Sequence, residues 1–200
     1  MIHRRPFLIG AAMALAVSLI SGSAIAASAD DFIRAAGAKT FKSLDKNITD
    51  AQRQARFRKI LTETFDLPTI ARFTLGRYWR VASKKQREDY VWLFEEFIIQ
   101  AYSHRFKDLS GQTFEVKQSH EINARDRLVL SEIKIKPGKP PIRVNWRVRL
   151  RGNAYRVIDV VVEGVSMSVT QRDEFAAVIR RSGGKVEGLL AALRRKTGTN

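Results

Sequence analysis

Ser166 sits in the stretch Gly164-Val165-Ser166-Met167-Ser168, one residue short of the G-x-S-x-G elbow on which α/β-hydrolases mount a nucleophile. That elbow needs small residues on both sides of its serine, and an acid and then a histidine further along the chain. Here the fifth position is Ser168, and the histidines, His3, His104 and His120, all precede Ser166. Ser166 therefore does not read as a nucleophile. Asp159 is the stronger catalytic candidate, because a carboxylate among valines and beside an aromatic residue has its pKa raised by desolvation unless donors stabilise its charge. An isomerase or hydrolase using Asp159 as a base is thus one reading. The other is a structural carboxylate that accepts bonds from backbone N–H groups or from an arginine such as Arg172. Cysteine is absent, no carboxylates cluster at ligand spacing, and no glycine-rich loop could cradle phosphate, so neither a metal nor a cofactor is expected.

The elements that position these groups run helices, strands, helices, an α+β order. A helix is expected from Asp30 to about Leu44. A second opens at the Thr49/Gln52 capping box and runs through Phe57, Ile60 and Leu61 to about Phe65. Asp66-Leu67-Pro68 caps a short helix that Gly76 ends, and Ser83 with Gln86 opens the longest, Lys84 to Lys107. Its apolar residues spread well beyond the arc of about 100° that a surface helix needs, so it is central or lines a cavity. Strands are expected near 112–122, 127–136, 142–151 and 154–163, with Pro137-Gly138-Lys139-Pro140-Pro141 as a turn. If Gly152-Asn153 is a two-residue hairpin turn, Leu150 faces Tyr155, Val148 faces Val157, Trp146 faces Asp159 and Val144 faces Val161. The opposite face then carries Arg143, Arg147, Arg149 and Arg151, with Arg149 against Arg156, a pairing that needs a screening anion. Because Trp146 points away from these arginines, it cannot stack bases beside them, and nucleic acid is not expected. Ser182-Gly183-Gly184 divides a helix bearing Phe175, Val178 and Ile179 from a last one bearing Leu189, Leu190 and Leu193.

The first 26 residues have the layout of a secretory signal peptide: Arg4 and Arg5, an apolar run from Phe7 to about Ile20, and small residues at Ala24-Ile25-Ala26. Arg4-Arg5-Pro6-Phe7-Leu8 also resembles a twin-arginine signal, so export is expected by Sec or Tat. Residues 27–200 then form one domain outside the cytoplasm. The net charge of +16 falls by only two when Arg4 and Arg5 leave, and so basic a surface attracts anionic lipid or an acidic protein.

The ordered set Phe65-Asp66, Ile70-Ala71, Leu75-Gly76-Arg77-Tyr78-Trp79-Arg80, Gln86-Arg87, Phe94 and Tyr102 resembles the first half of the MlaC, or toluene-tolerance, family. Tyr155-Arg156-Val157-Ile158-Asp159-Val160, Glu163-Gly164-Val165-Ser166 and Arg172-Asp173-Glu174-Phe175 match the second half, with Tyr155-Arg156 where the family usually has Trp-Lys. The resemblance implies an NTF2-like fold, a curved four-stranded antiparallel sheet packed with N- and C-terminal helices around an internal apolar cavity. It implies a periplasmic carrier of diacyl phospholipid, with hopanoid as the cargo of a related branch. The implied partners are an inner-membrane ABC transporter with its periplasmic substrate-binding ring and an outer-membrane lipoprotein/porin complex. On this reading "EGVSMS" is a strand-to-helix corner and no residue is catalytic. The expected lipid-binding residues are Phe73, Leu75, Trp79, Tyr90, Phe94, Phe97, Ile98, Tyr102, Trp146, Val148, Val161 and Val165.

Overall fold

The computed structural model describes residues 28–42, 48–104, 111–135 and 138–199. Residues 1–26, expected to be a signal peptide, lie outside them, as do Leu44 and the end of the long helix expected at Lys107. Five helices come first: α1 (Ala29–Lys42), α2 (Asp50–Thr64), α3 (Leu67–Leu75), α4 (Tyr78–Val81) and α5 (Lys84–Tyr102). Strands β1 (Thr113–Glu121), β2 (Asp126–Lys134), β3 (Ile142–Arg151), β4 (Ala154–Val162) and β5 (Val165–Ser166) follow, and α6 (Met167–Arg181) and α7 (Val186–Thr197) close the chain. The strands form one antiparallel sheet in sequence order. The α+β architecture is the one the sequence order dictates. A two-residue fifth strand and the one-turn helix α4 are additions to it.

Local chemistry sets the boundaries. Thr49 and Gln52 exchange backbone and side-chain bonds at 3.2 and 3.0 Å, and Ser83 and Gln86 do so at 3.1 Å in both directions. Each box satisfies two of the amides that a helix start leaves without partners. Asp66 caps α3 by accepting from the Thr69 N–H at 3.1 Å, with Pro68 in the first turn. Gly37 brings α1 onto the sheet: a Cβ there would lie 2.3 Å from the Phe114 ring, too close for any other residue without displacement.

The expected hairpin turn at Gly152-Asn153 forms, pairing Arg151 with Ala154, Leu150 with Tyr155 and Val148 with Val157. The register then departs from the expectation. Arg147 pairs with Asp159, Trp146 with Val160 and Val144 with Val162, so Ile158 is an extra residue, a bulge. Because side chains alternate, one extra residue exchanges the two faces beyond it. Val160 and Val162 join the Trp146 face, and Val161 leaves it to pair with Asn145.

Two apolar clusters result. One joins α2, α3 and α5 to α6 and α7, with Tyr90, Leu93 and Leu190 fully buried. The other lies against the sheet and includes Ile33, Val129, Val148 and Val157. Phe65, between α2 and α3, packs against both. Backbone fastens it there: Phe65 forms a parallel bridge with Val157, and the Asp66 N–H donates to the Val157 carbonyl at 2.9 Å. Arg151 of β3 reinforces the seam, donating to Asp66 Oδ2 at 3.0 Å and to Thr69 Oγ1 at 2.9 Å.

Candidate functional site, an apolar cavity between sheet and helices

Between the helices and the sheet lies a cavity of about 520 Å³. Phe57 and Leu61 of α2, Phe65, and Leu67, Ile70 and Thr74 of α3 wall one side. Phe94, Ile98 and Tyr102 of α5 and Trp146, Val160 and Val162 of the sheet contribute the rest of the apolar lining. The polar lining gathers where β4 meets α6, at Asp159, Ser168 and Gln171. The cavity is therefore a hydrocarbon-like chamber with one polar corner.

That corner answers the question of Ser166. Its Oγ–H donates to Asp159 Oδ2 at 2.6 Å, and the same oxygen accepts the Val169 N–H at 3.1 Å. Asp159 Oδ1 accepts the Ser168 N–H at 3.0 Å. Ser166 is thus the N-cap of α6, and Asp159 holds both the cap and a first-turn amide. One donor to Asp159 is a backbone amide, as the structural reading of this carboxylate expected; the other is the Ser166 hydroxyl, which that reading did not include. Arg172 is not among them; its guanidinium lies 5.3 Å above the Phe73 ring and donates to Asp173. Among the described residues, no group of three or more His, Asp or Glu side chains could hold a metal.

The twelve residues expected from sequence to bind lipid divide. Phe94, Ile98, Tyr102 and Trp146 line the cavity. Leu75, Tyr90 and Phe97 are buried within the helical cluster instead, where Phe97 meets Phe175 and the Tyr90 hydroxyl lies 2.7 Å from Thr74 Oγ1. Burial pushes the Tyr90 phenol pKa upward, against the Thr74 bond, so the group stays neutral. Trp79 packs on the outside of the same cluster beneath the Arg87 guanidinium. Val148 is sealed between β2 and β4, the bulge turns Val161 away, and Phe73 and Val165 are exposed. What sequence reasoning missed is the contribution of α2 and of the Val160/Val162 pair. Phe57, Leu61 and Phe65 recur at every fourth position, which was a readable stripe; the valines depended on the bulge.

A second, smaller chamber of about 130 Å³ lies under α1 and is bordered by Ile33, Gly37, Phe41 and Phe114. Phe57, Leu61, Phe65 and Trp146 border both chambers and so form a partition. Trp146 is held edge-on to Phe65 and to Phe114, with ring centroids 6.4 and 6.2 Å away, and its indole N–H donates to Ser131 Oγ at 2.9 Å.

Charge is managed on the other face of the sheet. Arg149, opposite Arg156, finds its screening anion in Asp126, which it grips with two bonds of 2.7 and 2.8 Å. Arg143 pairs with Glu163 and Arg151 with Asp66. The Arg149 bonds, working against burial, hold the Asp126 carboxyl below its ordinary pKa. For Asp66, burial acts to raise the pKa, but the Thr69 and Arg151 bonds outweigh it and the net shift is downward.

The model of the family described as "MlaC protein" matches residues 35–195. The chain belongs to the MlaC family. The MlaC protein of Haemophilus influenzae, an intermembrane phospholipid transport system binding protein, is 23% identical over 158 residues, covering 72% of each chain. Among solved structures, a phospholipid-binding protein from Ralstonia solanacearum, determined in complex with a phospholipid, superposes with a TM-score of 0.77. It is 21% identical, and the match covers 86% of this chain and 98% of that one. The two chains share one fold over that length.

Proposed function

We propose that this chain is a periplasmic lipid carrier which holds the acyl chains of a diacyl phospholipid between its sheet and helices. The observation that carries this reading is the 520 Å³ cavity with its apolar walls and single polar corner, in a chain of the MlaC family. At about 30 Å³ for a water-sized group, the cavity accommodates roughly seventeen methylenes, about one long acyl chain. The polar corner at Asp159, Ser168 and Gln171 suits the ester and headgroup end. The names of the relatives point to the same ligand class.

The energetics then dictate how cargo leaves. The roughly seventeen methylenes that fit, at about 0.8 kcal/mol each, gain about 14 kcal/mol on leaving water. A binding free energy of that size corresponds to a Kd well below about 1 nM. Release into water is therefore too slow to serve transport, and lipid passes only where one apolar environment replaces another. The carrier accordingly exchanges lipid by docking, between an inner-membrane ABC transporter with its substrate-binding ring and an outer-membrane complex. No step in this cycle requires a catalytic residue or a cofactor.

The test is to purify the protein from its periplasm without detergent, extract it with organic solvent and identify lipids by mass spectrometry. Near-stoichiometric diacyl phospholipid is expected. Hopanoid would keep the carrier and change its cargo. A lipid-free protein that also takes up nothing from vesicles would overturn the proposal.

A further inference from the structure

An open groove of about 620 Å³ lies where α4 meets the end of α6, bordered by Arg77, Tyr78, Arg80, Val81, Arg180 and Gly184. None of its three arginines is paired with a carboxylate among the described residues. Arg77 leans over the Tyr78 ring at 5.0 Å and donates to its hydroxyl at 3.0 Å, while Arg80 and Arg180 are exposed. On β3, by comparison, Arg143, Arg149 and Arg151 each hold a carboxylate, and Arg147 stands opposite Asp159. Val81, next to Arg80 and in the same groove, is 73% exposed, the most exposed large apolar side chain among the described residues.

We propose that this groove docks an acidic segment of a protein partner, one that places an apolar side chain on Val81 and carboxylates on Arg77, Arg80 and Arg180. The inference rests on the carrier reading above, which requires a protein to receive the lipid. The occupant follows from charge complementarity: three guanidiniums without carboxylate partners suit a segment that brings its own carboxylates. The exposed valine beside them suits an apolar side chain of the same segment, which a free anion does not supply. The groove is also remote from the cargo: twelve residues of α6 separate Ser168 from Arg180, about 18 Å at 1.5 Å per residue. Changes here leave the cavity intact.

The experiment titrates the lipid-loaded protein with a fluorescent ten-residue peptide of alternating glutamate and leucine, at low and at physiological salt. A glutamine-for-glutamate peptide, phosphatidylglycerol vesicles and inorganic phosphate serve as comparisons. Saturable binding of the acidic peptide is expected, weakened at least about tenfold by Arg80→Glu with Arg180→Glu, and by a smaller factor in Val81→Asp. Arg125→Glu with Lys139→Glu, at exposed turns of the sheet, is expected to leave it unchanged, and all variants keep their lipid and melting temperature. Absence of peptide binding, or equal loss from groove and sheet variants, overturns the proposal. So does groove-dependent recruitment to vesicles without peptide binding, which would assign the site to a membrane, or complete displacement by phosphate at equal concentration, which would reduce it to an anion site. A lipid-free wild type would refute the carrier reading instead, while the peptide titration would still report on the groove.

Discussion

Two faces of α5 meet opposite surroundings. Tyr90, Leu93 and Phe97 are buried in the cluster shared with α3, α6 and α7, while Phe94, Ile98 and Tyr102, spaced four apart on the adjoining face, border the cavity. Aromatic and branched apolar residues build both regions. The difference lies in what stands opposite. Phe175, Leu189 and Leu190 pack with the first face, whereas beside the second the sheet is held off by α2, α3 and the seam at Phe65. An apolar stripe thus specifies burial, and only the distance to the facing layer decides whether the result is solid or hollow.

The sharpest way to test that contrast is to remove volume from the solid side. Leu190→Ala is expected to cost about 2–5 kcal/mol, read from the midpoint of urea unfolding, with lipid content per folded molecule unchanged. A cost below 1 kcal/mol would mean that this region is not close-packed. Next comes the wall behind the hollow side, which Asp126 braces through Arg149. Asp126→Asn is expected to cost about 1.5–3 kcal/mol at neutral pH. Because the folded-state pKa is depressed, the stabilisation is complete above the ordinary value of 3.8 and fades as pH falls through the lowered one. The gap between wild type and variant should therefore close below about pH 4; a gap independent of pH would remove the ion pair from the explanation.

A smaller effect distinguishes filling from overpacking. Val148→Trp should cost about 1–3 kcal/mol, since Val148 has no exposed surface and is not among the residues that line either chamber. Ile98→Trp, entering the cavity, should leave stability within about 1 kcal/mol while displacing lipid, as mass spectrometry would show. The reverse pattern would place the chamber elsewhere. Smallest of all, Ser166→Ala should cost about 1 kcal/mol for the lost cap and leave the cargo untouched. A loss of some chemical activity in this variant would reopen the catalytic question.

How legible was all this in the sequence? Helix starts were readable because their signals are local: Thr49 with Gln52, Ser83 with Gln86, and Asp66 before Pro68 each act within four residues. The hairpin turn was readable for the same reason. The bulge at Ile158 was not, since an isoleucine in an apolar strand looks the same whether paired or extra, and that one residue moved the lining from Val161 to Val160 and Val162. Four of the expected lining residues border the cavity because α5 and β3 were read on the correct faces. Leu75, Tyr90 and Phe97 are on apolar faces too, but their neighbours come from distant parts of the chain. The partner of Arg149 was equally hidden, because Asp126 lies 23 positions away.

The seam at Phe65 and Val157 has a mechanical consequence. α2 and α3 leave it in different directions, and both wall the cavity, so they behave as two leaves mounted on one hinge pin. The pin is made of backbone bonds and the Arg151 clamp, whereas the leaves meet the sheet across the cavity only through side chains. In the proposed carrier, a long hydrocarbon would then enter sideways between leaf and sheet with every strand pairing kept, by the parting of two layers and not by threading an end through a hole.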